Sequence, residues 1–138
     1  MSQGCDSETV FFIVGRCGKN PQAINFLINM NIKKTNMTTQ DLINEVRQWG
    51  ADKQITGENG KANSLTQYLK LHEECGELLA GLVNQDKAET IDAIGDCGVV
   101  LIMLAELEGI AFEDCLESAY NVISKRTGRI ENGVFIKD

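Results

Sequence analysis

The sequence predicts an all-α fold: a four-helix bundle closed by a small C-terminal hairpin and preceded by an N-terminal extension. Two observations carry that expectation. Four successive segments place apolar residues on one face at helical period, and the 138 residues include a single proline. A chain of this length suits one domain that buries roughly two-thirds of its unfolded surface.

Residues 1–36 read differently from the rest. A short apolar run from Val10 to Val14, a break from Gly15 to Pro21 and an apolar piece around Ile24, Phe26, Leu27 and Ile28 suggest one strand and one helix, an extension to which the sequence assigns no role. The domain is expected over residues 37–138, with Met37 as a candidate native start. From Thr38 the pattern is helical: Leu42, Ile43, Val46 and Trp49 form one stripe, and Gly50 is expected to end it. Trp49 on that stripe reads as core in preference to a residue that stacks on a base. A polar linker from Ala51 to Ala62 holds Gly57 and Gly60. The second helix is expected to open at Ser64, with Gln67 three residues later completing a capping box, and its apolar stripe runs through Tyr68, Leu71, Cys75, Leu78, Leu79 and Leu82. Asp86 and Glu89 start the third helix, which carries Ile91, Ile94, Leu101, Ile102 and Leu104 up to Gly109. Phe112, Cys115, Leu116, Ala119 and Ile123 make the fourth, expected to stop near Gly128. Ile130 to Ile136 around Asn132-Gly133 resembles a hairpin.

The net charge of −7 is unevenly spread. Residues 38–124 hold sixteen acids against five bases, while the segments on either side are each slightly basic. An acidic body repels a polyanion, so nucleic-acid binding is disfavoured and a divalent cation is favoured. The longest apolar run is far too short to span a bilayer, and Asp6 and Glu8 precede it where a signal peptide needs basic residues. A cytoplasmic protein without a membrane partner is expected. Five cysteines with no CxxC spacing point to free thiols, those at Cys75, Cys97 and Cys115 expected to be buried on helices. With His72 as the single histidine, any metal must be held by oxygen.

The sharpest feature is Glu73-Glu74-Cys75-Gly76-Glu77. Spacings of three and four put these carboxylates on nearly one side of the second helix, and Glu89, Asp92 and Asp96 form a matching set on the third, continued by Val99 and Met103. A solvated acidic face is the ordinary explanation of such a run. Against it, no basic residue lies between Lys70 and Lys87 to relieve the like-charge pairs. Glycines at 76, 81, 95 and 98 also suggest close approach of backbones or a ligand. Antiparallel packing of the two helices would then gather an oxygen cage for Mg²⁺ or Mn²⁺, which suits a nucleotide polyphosphate because magnesium prefers a few carboxylates plus substrate phosphates.

These residues resemble the MazG-like all-α nucleoside triphosphate pyrophosphohydrolases, particularly the short phage and bacterial type, over roughly residues 38–137. Lys70-Leu71-His72-Glu73-Glu74-Cys75-Gly76-Glu77-Leu78 is similar to the family's K-x-x-EExxE-L helix. Asp92-Ala93-Ile94-Gly95-Asp96 stands where the family has ExxD, and Ala119-Tyr120-Asn121, Lys125-Arg126-Thr127-Gly128 and Asn132-Gly133-Val134-Phe135 resemble its tail. The resemblance implies Mg²⁺-dependent cleavage of an NTP or dNTP between the α and β phosphates, with Mn²⁺ as the alternative metal. It also implies a homodimer or homotetramer.

Carried over by position, Glu74, Glu77 and Asp96 are the implied metal ligands, and Glu73 takes a base or second-metal role. Ala93 departs from the pattern where a glutamate is usual. Asp92 is the expected substitute, with Glu89 in reserve. Lys70 either contacts phosphate or only pairs with Glu74. Lys125 and Arg126 either grip pyrophosphate or favour a helix C-terminus, and Asn121 either binds substrate or caps a neighbouring element. His72 reads as a structural or surface residue. Two other outcomes stay open: a dUTPase-like or phosphoribosyl-ATP pyrophosphohydrolase activity, and a catalytically silent helical oligomer that binds nucleotide or protein.

Overall fold

The computed structural model describes residues 36–138, so the strand and helix expected within residues 1–36 lie outside the described residues. Among the described residues there are four helices, α1 (Thr39–Asp52), α2 (Ser64–Val83), α3 (Lys87–Leu107) and α4 (Phe112–Ile123), followed by the strands β1 (Gly128–Glu131) and β2 (Val134–Lys137). The fold is the all-α bundle with a terminal hairpin that the apolar stripes predict.

Each helix start has a local chemical cause. Thr38 caps α1 through a reciprocal box, its hydroxyl accepting from the Asp41 amide while the Asp41 carboxylate accepts from the Thr38 amide. The box on α2 sits one residue earlier than the sequence suggests: Asn63 accepts from the Thr66 amide and Thr66 returns the bond. Gln67 is therefore released from capping. Asp86 accepts from the amides of Ala88 and Glu89 to start α3. In the hairpin, Asn132 and Gly133 both have positive φ, 50° and 79°, which a two-residue type I′ turn requires. Glu131 pairs with Val134 and Gly128 with Lys137.

The centre of the fold is the antiparallel pair α2 and α3, with α1 laid against α3. Buried apolar side chains are concentrated on α3: Ala93, Val100, Ile102, Met103 and Ala105. Two glycines set the contacts. A Cβ on Gly81 would stand 2.9 Å from the Thr90 amide nitrogen, so this glycine lets α2 and α3 meet. A Cβ on Gly50 would stand 2.2 Å from the Met103 sulfur. Gly50 therefore does not end α1, as expected, but lies buried inside it and receives Met103. The expected close approach fails at Gly76, Gly95 and Gly98, where nothing within 4 Å would meet a Cβ.

The apolar stripes of α2 and α4 are only partly covered by this chain, and the cysteines expected to be buried are not. Tyr68, Leu79, Leu82, Leu116 and Ile123 are all exposed, and so are the thiols of Cys75 and Cys115, with Cys97 half-buried. α4 ends at Ile123, and Gly128 opens β1 instead of stopping a helix. No helix among the described residues is long and apolar enough to cross a membrane.

Arg47 ties α1 to two other helices. Its Nε donates to Glu106 on α3 at 2.6 Å, and its Nη1 donates to Glu113 on α4 at 2.9 Å. Hydrogen bonds from Arg47 and Gln40 hold the Glu113 carboxyl down to about 2 from its ordinary 4.5. A carboxyl whose folded value is depressed contributes stability that is whole above 4.5 and disappears as the pH falls towards about 2. The difference in urea stability between the native chain and Arg47→Met is therefore expected to shrink through that window. A difference independent of pH would place the anchor elsewhere.

Candidate active site

The α2–α3 pairing determines which side chains share a surface. From the Gly81–Thr90 contact, seven residues back along α2 reach Glu74 and six forward along α3 reach Asp96. At 1.5 Å per residue both displacements are about 10 Å, so the two acids arrive opposite one another. They line the same cleft of about 460 Å³. Gln67 and Lys70 continue its α2 wall, Val99, Val100 and Met103 its α3 wall, and Trp49 and Ile55 close it from α1 and the following loop.

Glu74 is the electrostatic centre. Its side chain is 4% exposed, and its Oε1 accepts from the Lys70 ammonium at 2.7 Å. Its Oε2 is buried with no hydrogen-bond partner. An orphaned carboxylate oxygen is costly to bury and calls for a cation or donor to complete it. Lys70 also meets Glu73 at 3.1 Å, and its hydrogen bonds to Glu74 and Glu73 raise its pKa and keep it protonated. The alternatives left open for Lys70 thus meet: it pairs with Glu74 and lines the cleft.

The neighbouring acids register Glu74 as crowding. Asp96 titrates above its ordinary range, first through burial, then through the charges of Glu74 and Asp92, with Lys70 opposing. Glu77 is also raised, first by the Glu74 charge, then by burial and the charges of Glu89 and Glu73. Of the two candidates to replace the acid absent at Ala93, Asp92 acts on Asp96 and Glu89 acts on Glu77. Ala93 itself is buried at 2% exposure.

The cleft brings together Lys70, Glu74 and Asp96, with Glu77 and Asp92 coupled to them by charge. Glu73 is exposed and tied to Lys70. Asn121, Lys125 and Arg126 are exposed at the end of α4 and just beyond it, and none of them lines the cleft. His72 is on the surface, with its ring edge-on to Tyr68 at 5.4 Å. Trp49 is not core, as expected, but 46% exposed on the cleft wall. Gly50 makes the close contact with α3, so the adjacent indole is not needed there.

Sequence reasoning missed Gln67 and Ile55. Gln67 carried a readable signal, standing three residues before Lys70 and seven before Glu74 on one helix face. Ile55 carried none, because its place depends on the loop folding back, with the Ile55 amide donating to the Gly50 carbonyl.

Among the described residues no group of three or more His, Cys, Asp or Glu side chains is already gathered at metal-binding distance. The donor chemistry nevertheless fits a hard cation: carboxylates face one another across two helices, and one buried oxygen lacks any partner.

The fold and the site together define an all-α helical pair that carries acids of both helices along a single cleft. Residues 51–121 match the phosphoribosyl-ATP pyrophosphohydrolase family, and the chain belongs to that family, a MazG-like all-α group of nucleoside triphosphate pyrophosphohydrolases. A protein of Haemophilus phage HP1 (strain HP1c1), named as the uncharacterized 18.2 kDa protein of the rep-hol intergenic region, is 36% identical over 67 residues. That match covers 49% of this chain and 39% of the relative, so the chain spans about two-fifths of the relative's length. No solved structure matches the chain.

Proposed function

We propose that this chain is a Mg²⁺-dependent nucleoside triphosphate pyrophosphohydrolase that cleaves an NTP or dNTP to the monophosphate and pyrophosphate. The observation that carries the reading is the buried, unpartnered Oε2 of Glu74, set in the cleft opposite Asp96. Glu74, Glu77, Asp96 and Asp92 would hold the cation, Mg²⁺ or Mn²⁺. When bound, it would supply charge neutralisation of the phosphates and acidification of a water.

The protein's own groups do the rest. Lys70, kept protonated by its two glutamates, stands on the cleft wall where it can meet a phosphate oxygen. Glu73, exposed beside Lys70, would serve as the acceptor for the proton of the attacking water. Water adds to the α phosphorus, the bond to the bridging oxygen breaks, and pyrophosphate leaves. Asn121, Lys125 and Arg126 remain proposed phosphate contacts that a single chain does not deliver to the cleft. The exposed apolar faces of α2 and α4 favour a homodimer or homotetramer, and a cytoplasmic setting accords with nucleotide substrates.

The family description favours a second reading in which phosphoribosyl-ATP is the substrate. The buried Ala93 keeps a third, a nucleotide-binding oligomer without turnover. A panel of NTPs, dNTPs including dUTP, and phosphoribosyl-ATP, incubated with Mg²⁺ and followed by phosphorus NMR, separates all three. Monophosphate and pyrophosphate from an NTP or dNTP are expected. Turnover of phosphoribosyl-ATP alone supports the second reading, and nucleotide binding without any product supports the third.

The fourth ligand has its own test. Asp92→Asn is expected to weaken Mn²⁺ binding by at least about tenfold, with Glu89→Gln milder. The reverse order in a calorimetric titration would assign the ligand to Glu89.

A further inference from the structure

The acids and Lys70 occupy one part of the cleft, and its remaining walls have a different chemistry. A cavity of about 460 Å³ is within the usual range for a small-molecule site, and far more than phosphates alone require. Away from the carboxylates, Trp49, Ile55, Val99 and Met103 give it an apolar lining, and Gln67 adds a neutral polar group.

The placement of Trp49 follows from the packing beside it. The notch at Gly50 seats Met103, which is only 1% exposed, so α1 rests on α3 through the glycine. The adjacent indole is not needed to fill the core and remains 46% exposed on the cleft wall. A half-exposed aromatic ring on the wall of a ligand-sized cleft is a stacking platform. Gln67 stands on the wall that also carries Lys70 and Glu74, and its carboxamide both donates and accepts hydrogen bonds, as the edge of a nucleobase does.

From this arrangement we infer that Trp49 and Gln67 form the nucleobase-recognition end of the cleft, Trp49 by stacking and Gln67 by hydrogen bonding to the base edge. The inference rests on the proposed nucleotide substrate and sets its direction: phosphates towards Glu74 and Asp96, base towards α1 and the start of α2. Stacking tolerates every base, so Trp49 governs affinity and Gln67 governs preference.

Trp49 is the single tryptophan of the chain, so indole emission reports on this wall alone. With the full chain and Mg²⁺, a non-hydrolysable α,β-methylene nucleoside triphosphate is expected to change the emission saturably and to protect it from acrylamide. Inorganic tripolyphosphate, which has no base, is expected to bind without doing either. Trp49→Leu is expected to weaken the nucleotide analogue roughly 5- to 150-fold and to leave tripolyphosphate affinity unchanged. Gln67→Ala is expected to narrow the affinity differences among analogues of different bases.

Calorimetric binding of the analogue with no change in emission or acrylamide protection would overturn the inference. So would equal analogue affinity in folded Trp49→Leu. Pyrophosphate release accompanied by a silent indole leaves the proposed hydrolysis standing and removes only the base site. An emission change without any product does the opposite. No nucleotide binding at all overturns both.

Discussion

Glu74→Gln is expected to lower pyrophosphate release by about 10³-fold while leaving the helical circular dichroism and the unfolding midpoint close to native. Glutamine keeps the shape of the side chain and one oxygen for the Lys70 ammonium, so the 2.7 Å contact has a replacement. It loses the negative charge at the position where a buried oxygen waits without a partner. A bound cation supplies several kcal/mol of charge stabilisation to a phosphoryl transition state, and each 1.36 kcal/mol is worth about tenfold in rate. Glu77→Gln is expected to act in the same direction, because the Glu77 carboxylate lies within the field of Glu74. Ordinary turnover in both variants would remove the acids of α2 from the mechanism.

Met103→Ala is expected to have the largest effect on stability, a loss of about 2–5 kcal/mol. Among the described residues Met103 is the large side chain buried almost completely, and it joins three parts of the fold: it belongs to α3, fills the Gly50 notch of α1 and forms part of the cleft wall. Truncation leaves a void beneath α1 that the helix cannot follow without moving Trp49 and the loop at Ile55. Out of a total of about 5–15 kcal/mol for an ordinary domain, such a loss is severe. Urea unfolding followed by circular dichroism measures it, and Met103→Leu, which conserves volume, is expected to cost less than about 1.5 kcal/mol. A loss below about 1 kcal/mol for the alanine variant would show that α1 is held mainly by Arg47 and its two glutamates.

The sequence made some of these features legible and hid others, for physical reasons that differ by residue. Helical period, the Asp86 cap and the Asn132-Gly133 turn are local, and they placed four helices and the hairpin correctly among the described residues. The EExxE and DAIGD segments were legible because spacing alone puts their acids on helix faces. Trp49 and Gly50 were misread for one shared reason. A stripe ending in tryptophan and then glycine looks locally like core followed by a stop, whereas the helix continues and the glycine makes the tertiary contact. The stripe of α2 was legible as apolar, but how much of it this chain covers was not, because period reports only the character of a face. Asn121, Lys125 and Arg126 came from the resemblance to the family tail, and proximity in sequence to α4 did not carry them to the cleft.

Manganese binding followed by electron paramagnetic resonance tests most directly whether the facing acids of α2 and α3 hold a divalent ion. In the native chain, with no nucleotide added, Mn²⁺ is expected to bind saturably and to be displaced by Mg²⁺, and Glu74→Gln is expected to lose most of that binding. A native chain that leaves Mn²⁺ free in solution, or a variant that binds it equally well, would contradict the account.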